Sequence, residues 1–215
     1  TQLNRFTVRD ENGKSAKLVD IALALPEEDY PPVTEFLVAH ENKLLCFPWD
    51  DVLVFDPSKK VMNVADLNAG EESSYDAADG DVWLNHDILD SLVIDLANRT
   101  TTRATDLQLD DSDGQLRLAA VDAGIGAMLR RITGGWYKRV SEKQLQDWKY
   151  VEFLRGDPKA VKNGEGYRLR INRLSSGAIA QLSDYIPYLH AAELLNLLPD
   201  SKAAGVLEAM SVDRQ

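Results

Sequence analysis

Two stretches of this chain, about 85 residues apart, resemble one another, and this faint repeat constrains the fold more than any other feature of the sequence. Val8-Arg9-Asp10, Asn12-Gly13-Lys14 and Val19-Asp20-Ile21-Ala22-Leu23 have counterparts in Val93-Ile94-Asp95, Asn98-Arg99 and Thr105-Asp106-Leu107-Gln108-Leu109. The offset is 85 in the first part and 86 in the second, so the second copy carries one inserted residue. Each copy reads as a strand, a tight turn at Asn-Gly or Asn-Arg, and a returning strand whose apolar residues alternate: Ile21, Leu23 and Leu25 in one, Leu107 and Leu109 in the other. A third strand follows in each. In the first copy Glu35-Phe36-Leu37-Val38-Ala39 turns at Glu41-Asn42-Lys43 into Leu44-Leu45-Cys46-Phe47-Pro48; in the second the turn Asp110 to Gly114 leads into a strand over Gln115 to Val121. Two small β units packed on one another are expected.

The rest of the chain punctuates and extends these units. Residues 68–81 are small, polar and acidic, as a connector would be. Gly124 to Ile132 reads as a short helix, and a Gly- and Pro-rich joint spans Arg155-Gly156-Asp157-Pro158 through Asn163-Gly164-Glu165-Gly166. Beyond it the pattern is helical over Ala178 to Ile186, Leu189 to Leu198 and Ser201 to Met210, with Pro187 and Pro199 between the segments. The expected organisation is a β domain over 1–70, an acidic linker over 71–81, a second β domain over 82–154 and a helical segment over 165–215.

Composition removes several function classes. With 215 residues, 44% hydrophobic and 27% charged, the chain is of the packed globular type. It has no uncharged apolar stretch near the ~20 residues of a membrane helix, and its start lacks the basic-then-apolar layout of a signal peptide, so a soluble, cytoplasmic chain with no membrane insertion of its own is expected. One cysteine excludes an intrachain disulfide, and with three histidines there is no zinc-finger ligand set. Cys46, between Leu45 and Phe47, reads as a core residue. Residues 1–90 carry 7 Lys+Arg against 19 Asp+Glu, and residues 91–215 carry 17 against 16, so the charge of −11 lies in the front half. Such a surface repels a phosphate backbone and attracts cations or a basic partner.

Catalytic templates fail one by one. Gly124-Ile125-Gly126 places Leu129 where a dinucleotide fingerprint needs its third glycine. Asp111-Ser112-Asp113-Gly114 would have Leu109 and Ala120 at the first and twelfth positions of a calcium loop, and reads as a β-turn. No phosphate-loop, zincin or nucleophile-elbow sequence occurs, so no enzyme is expected. His190 reads as a helix packing or capping residue, and His40 and His86 as solvated turn residues. The stretch from Arg130 to Lys149 interleaves Arg130, Arg131, Lys138, Arg139, Lys143 and Lys149 with Trp136, Tyr137 and Trp148. That combination could bind RNA, but a protein surface is the favoured partner for it.

The two copies, above all the Phe47-Pro48-Trp49-Asp50-Asp51-Val52 segment, resemble PRC-barrel domains, the compact β-barrels of ribosome-maturation and photosynthetic reaction-centre proteins. The tail from Ile179 to Met210, with Leu189-His190-Ala191-Ala192-Glu193-Leu194-Leu195-Asn196-Leu197-Leu198-Pro199 at its centre, is similar to the N-terminal cytosolic domain of MgtE-type magnesium transporters. Gly124 to Arg131 is similar to a stretch in proteins that place PRC-barrels ahead of an MgtE-type domain and CBS domains. Ala191 stands where that family usually has proline, and Asn196 interrupts its commoner acidic run. The resemblance implies an α+β chain of two small PRC-like β-barrels and an incomplete helical MgtE-type domain. It implies a cytosolic regulatory or metal-sensing module of, or associated with, a divalent-cation transporter. Its partners would be CBS domains and a transmembrane transporter, in the same or another chain; a homodimer is compatible and nucleic acid is disfavoured. The ion would be Mg²⁺, or Mn²⁺ in its place, held weakly by Glu193, Asp200, Asp184 and Glu208, since a hard, hydrated ion with few protein ligands leaves readily. Such a chain is a fragment of a longer protein or a soluble relative working beside the transporter. The alternative reading is a non-enzymatic adaptor that binds RNA, ribosomes or protein through Arg130, Arg131, Lys138 and Arg139, with no metal role.

Overall fold

A computed structural model of the chain describes residues 3–24, 29–73, 75, 81–98, 100–111, 114–122, 145–153, 170–186 and 188–214. Among them the chain is α+β, mostly strands in open sheets with a few helices at the C-terminal end. The described residues fall into two compact units that interleave along the sequence: 1–25, 31–87 and 109–118 in the first, 26–30, 88–108 and 119–215 in the second.

In the first unit β1 (Thr7–Arg9) and β2 (Ser15–Ala24) form the predicted hairpin, antiparallel with Val8 opposite Ala16. Its turn is held by Asp10, whose Oδ1 accepts the Lys14 N–H at 2.7 Å, while Gly13 takes a φ of +82° that disfavours any side chain. β3 (Val33–His40) and β4 (Lys43–Pro48) extend the sheet, a short 3₁₀ turn covers Trp49–Asp51, and β5 (Val52–Asp56) pairs with β6 (Val61–Val64). β6 lies parallel to β1, and β7 (Glu71–Glu72) pairs with β4, so the order is β5-β6-β1-β2-β3-β4-β7. The predicted acidic linker thus begins as a strand. β8 (Asp81–Trp83), which the sequence pattern groups with the second copy, adds to β2 in the first unit, Ala22 opposite Trp83. Because β2 has partners on both edges there, and bulges between Leu18 and Asp20 and between Ala22 and Leu23, the expected alternation gives way to Ile21, Ala22 and Leu23 buried in succession.

The second copy builds the same parts. β9 (Leu92–Asp95) and β10 (Thr100–Arg103) form a hairpin, and Asp95, the counterpart of Asp10, accepts the Ala97 and Asn98 N–H groups at 2.9 Å. β11 (Asp106–Asp110), β12 (Arg117–Asp122) and β13 (Leu145–Asp147) form a three-stranded sheet, and β14 (Val151–Phe153) pairs with β9. A likeness the sequence pattern left unread joins the copies further on. Pro48-Trp49-Asp50-Asp51-Val52 and Asp147-Trp148-Lys149-Tyr150-Val151 both run strand, 3₁₀ turn, strand, and in both the closing valine N–H donates to the tryptophan carbonyl. The helix expected over Gly124–Ile132 and the joint over 155–166 lie outside the described residues.

Three helices close the second unit: α1 (Ser176–Ser183), α2 (Tyr188–Leu197) and α3 (Asp200–Ala209). Ser175 caps α1 through the Ala178 N–H, and Pro199, expected between the last two helical segments, stands immediately before α3.

Candidate functional site

The helical segment has its own small core. Ile179, Ala180, Leu182 and Ile186 around α1, Ala191, Leu194, Leu197 and Leu198 on and after α2, and Val206 and Met210 around α3 are buried, with spacings that give each helix one apolar face. α1 and α3 pack closely because Gly205 has no side chain: a Cβ there would lie 2.9 Å from Ser176 Oγ. Lys202 Nζ donates to the carbonyls of Asn172 and Leu174, tying α3 to the turn over Arg170–Arg173. The buried Glu152 of β14 accepts the Ile171 N–H at 2.5 Å, which fixes where the segment begins.

On this frame the acidic positions are distributed over the three helices. Asp184 ends α1, Asp200 opens α3 and Glu208 lies near the end of α3; all three are exposed. Asp200 and Glu208 are eight residues apart on one helix, about 12 Å along its axis, too far for one inner coordination shell. Glu193 lies within α2. The oxygen donors are of the kind Mg²⁺ prefers, yet among the described residues no group of three or more His, Cys, Asp or Glu side chains converges to hold an ion. The same segment exposes large apolar side chains: Tyr185 is 66% exposed, Tyr188 63%, Leu189 68% and Val212 87%. The Tyr188 hydroxyl donates to the Asp213 carbonyl at 2.8 Å, which brings the end of the chain against the start of α2.

The most strongly perturbed acid is in the first unit. Asp20, fully buried in β2, accepts the Ile21 and Asn85 N–H groups on Oδ1 and the His86 N–H on Oδ2, at 2.8–2.9 Å. Burial pushes its carboxyl up to about 6, against the pull of those three donors, and Asp87 nearby adds to the rise. The carboxylate thereby holds the start of a π-helical turn, Leu84–Ile88. His86 stacks on Tyr75 with ring centroids 4.7 Å apart, and its Nδ1 lies 2.9 Å from Asp87 Oδ1. Tyr75 in turn meets the Trp83 ring edge-on, and Trp83 Nε1 donates to the Tyr75 carbonyl. A lone aspartate inside Val19-Asp20-Ile21-Ala22-Leu23 was the available signal for this corner; its partners, 65 residues away, were not readable.

No protein-family model, curated protein or solved structure matches this chain.

The remaining sequence candidates fare unevenly. Arg130, Arg131, Lys138 and Arg139 lie outside the described residues. At the end of that stretch Trp148 is 1% exposed, so it packs in the core and presents no face for base stacking, and Lys149 pairs with Asp147 at 3.3 Å. Cys46 is half-buried; burial and the neighbouring Glu35 push its thiol up to about 12, which leaves almost no thiolate at neutral pH. His86 is solvated as expected, its side chain 57% exposed, whereas His40, at 12%, is largely buried, because β3 carries it inward beside β4. The side chain of His190 lies outside the described residues.

Proposed function

We propose that this chain is a non-enzymatic regulatory module that works by docking, and that its setting is divalent-cation transport. Two β domains of PRC-barrel type present the helical segment, and the helical segment meets CBS domains or the cytosolic face of a transporter. The observation that carries the reading is the surface formed by Tyr185, Tyr188, Leu189 and Val212, large apolar side chains left in water on short helices whose own core is already filled. The strand, 3₁₀ turn, strand unit built at Trp49 and again at Trp148 supports the duplicated β domain. Because Asp200 and Glu208 lie about 12 Å apart along α3, they do not share one inner shell, and the remaining ligands of a hydrated cation come from the partner surface. Cation binding and docking are then one event.

Thermal unfolding after chelation, titrated with Mg²⁺, Mn²⁺ and Ca²⁺ at constant ionic strength, tests the cation part. A ligand at 100 times its Kd adds about 2.7 kcal/mol, a rise of about 5–10 °C for a chain of this size. A saturable, ion-selective rise that vanishes in Glu193→Ala/Asp200→Ala places cation sensing in the helical segment itself. A flat response at millimolar ion assigns the chain to the second reading, an adaptor that docks without metal, which the same exposed apolar surface favours.

A further inference from the structure

The sheet of the first unit ends at β5, and this edge has the features of a built docking site. On one side β5 pairs with β6; among the described residues no strand pairs with the other. Proteins blunt such edges with lysine, proline or cover, because an open row of backbone groups invites another chain. β5 reads Val-Leu-Val-Phe-Asp and carries no such guard before Asp56. The register passes from Val52 opposite Val64 to Val54 opposite Asn63, so Leu53 is the extra residue of a bulge. The bulge leaves two successive apolar side chains in water, Leu53 at 55% and Val54 at 49% exposed, where a regular strand would alternate. Register also places Val54, Asn63 and Arg9 in one row across β5, β6 and β1, on the face opposite the buried Val8 and Met62. A cleft of about 550 Å³ lies over that face, lined among others by Arg9, Glu11, Leu53, Val54, Val61 and Asn63.

The edge is held ready. Phe55 stacks on Phe6 with centroids 5.3 Å apart and meets Trp49 edge-on at 5.5 Å, which anchors β5 from beneath. Asp56 accepts the N–H groups of Ser58 and Lys59 and closes the β5–β6 turn. A partner strand would therefore find its template already ordered.

Charge selects the occupant. Asp50 and Asp51, exposed immediately before β5, have no hydrogen-bond or ion-pair partner among the described residues, and Glu11 lines the cleft. Lys59 spends its charge on Asp56 at 3.1 Å. A second copy pairing antiparallel with β5 would bring its Asp56 towards Asp50 and Asp51, like charges face to face. We propose that the open edge of β5 receives an extended, apolar and basic segment of a partner protein, which adds a strand beside β5. Its apolar side chains cover Leu53 and Val54, and its basic side chains meet Asp50 and Asp51. This surface belongs to the first unit, and the proposal stands without the reading given for the helical segment.

The test uses the full chain and three eight-residue peptides: alternating lysine and valine, alternating glutamate and valine, and the lysine-valine peptide N-methylated at every second residue. Calorimetry should find saturable one-to-one binding of the first, weakening as salt rises, and at least tenfold weaker binding of the other two. Leu53→Ser/Val54→Ser, at exposed positions, should keep its Tm and lose at least tenfold in affinity, and Asp50→Asn/Asp51→Asn should lose most of the salt dependence. The N-methylated peptide keeps its charge and loses its edge donors, so equal binding to wild type would reduce the effect to nonspecific attraction and overturn the proposal. No saturable binding of the lysine-valine peptide would overturn it too. So would sedimentation showing a dimer that Leu53→Ser/Val54→Ser dissolves, which gives the edge to a second copy.

Discussion

In the first copy of the repeat the returning strand runs unbroken from Ser15 to Ala24, with a bulge between Leu18 and Asp20; in the second it stops at Arg103 and resumes at Asp106. The residue inserted in the second copy falls earlier, in the hairpin turn: five residues separate Arg9 from Ser15 and six separate their counterparts Ile94 and Thr101, so Leu96-Ala97 stand against Glu11 alone. The bulge and the break are where the chain changes partners. Before them, the segment pairs with the strand that precedes it; after them, with the strand that follows. The break leaves no N–H stranded, since the Ala104 N–H donates to Ser91 and the Thr105 N–H and hydroxyl both donate to Asp122. An insertion is tolerated in a turn whose ends are held by side chains, and the chemistry that holds each copy, Asp10 with Asp95 at the turn and Asp20 with Asp106 beyond the break, stays in place.

The copies differ most in what their tryptophans do, and the largest effect is expected there. Trp148 is buried, whereas Trp49 is only half-buried, packed edge-on against Phe36 and Phe55. Trp148→Ala should cost about 3–5 kcal/mol in denaturant unfolding, and Trp49→Ala about half as much. Equal losses would mean that the two strand, 3₁₀ turn, strand units contribute alike, and would remove the distinction.

The aspartates give the next contrast. Both Asp20 and Asp106 accept the N–H of the following residue, but Asp20 also carries the start of the Leu84–Ile88 turn. Asp20→Ala strands those donors and should cost about 2–3 kcal/mol, against about 1 kcal/mol for Asp106→Ala. The pH dependence sharpens this. Folding raises the Asp20 carboxyl from 3.8 to about 6, so between those values the folded chain holds a proton that the unfolded chain has released. Stability from that protonated form is complete below pH 3.8 and is lost as pH rises through about 6. Urea unfolding from pH 4 to pH 7 should lose that stability in the wild type, and the slope should flatten in Asp20→Asn. An unchanged slope would assign the titration to another group.

What was legible in the sequence divides along the same line. The hairpins, the turn at Gly13 and the helix break at Pro199 follow from local chemistry, and the structure has them where the spacing puts them. The pairing of β8 with β2, and so the burial of Asp20, depends on residues 57 to 61 positions apart, which periodicity does not reach. Asp147-Trp148 was missed for another reason: proline in the first copy and aspartate in the second hide one local shape under unlike residues, because a 3₁₀ turn can start after either.

That substitution makes the smallest contrast a useful one. Pro48 precedes its turn with no side-chain cap, whereas Asp147 accepts the Lys149 N–H at 3.2 Å and also takes the Tyr30 hydroxyl at 2.9 Å. If the aspartate acts as a cap, Asp147→Ala should cost about 1 kcal/mol and Asp147→Asn much less, since an amide oxygen still accepts the N–H. Tyr30 supplies an independent readout. Burial and the hydrogen bond to Asp147 hold its phenol above the ordinary range, so ultraviolet titration of Asp147→Ala should move it down towards that range. A stability loss without that movement would mean that the aspartate serves only its own turn, and that the second copy differs from the first in capping and in nothing that reaches Tyr30.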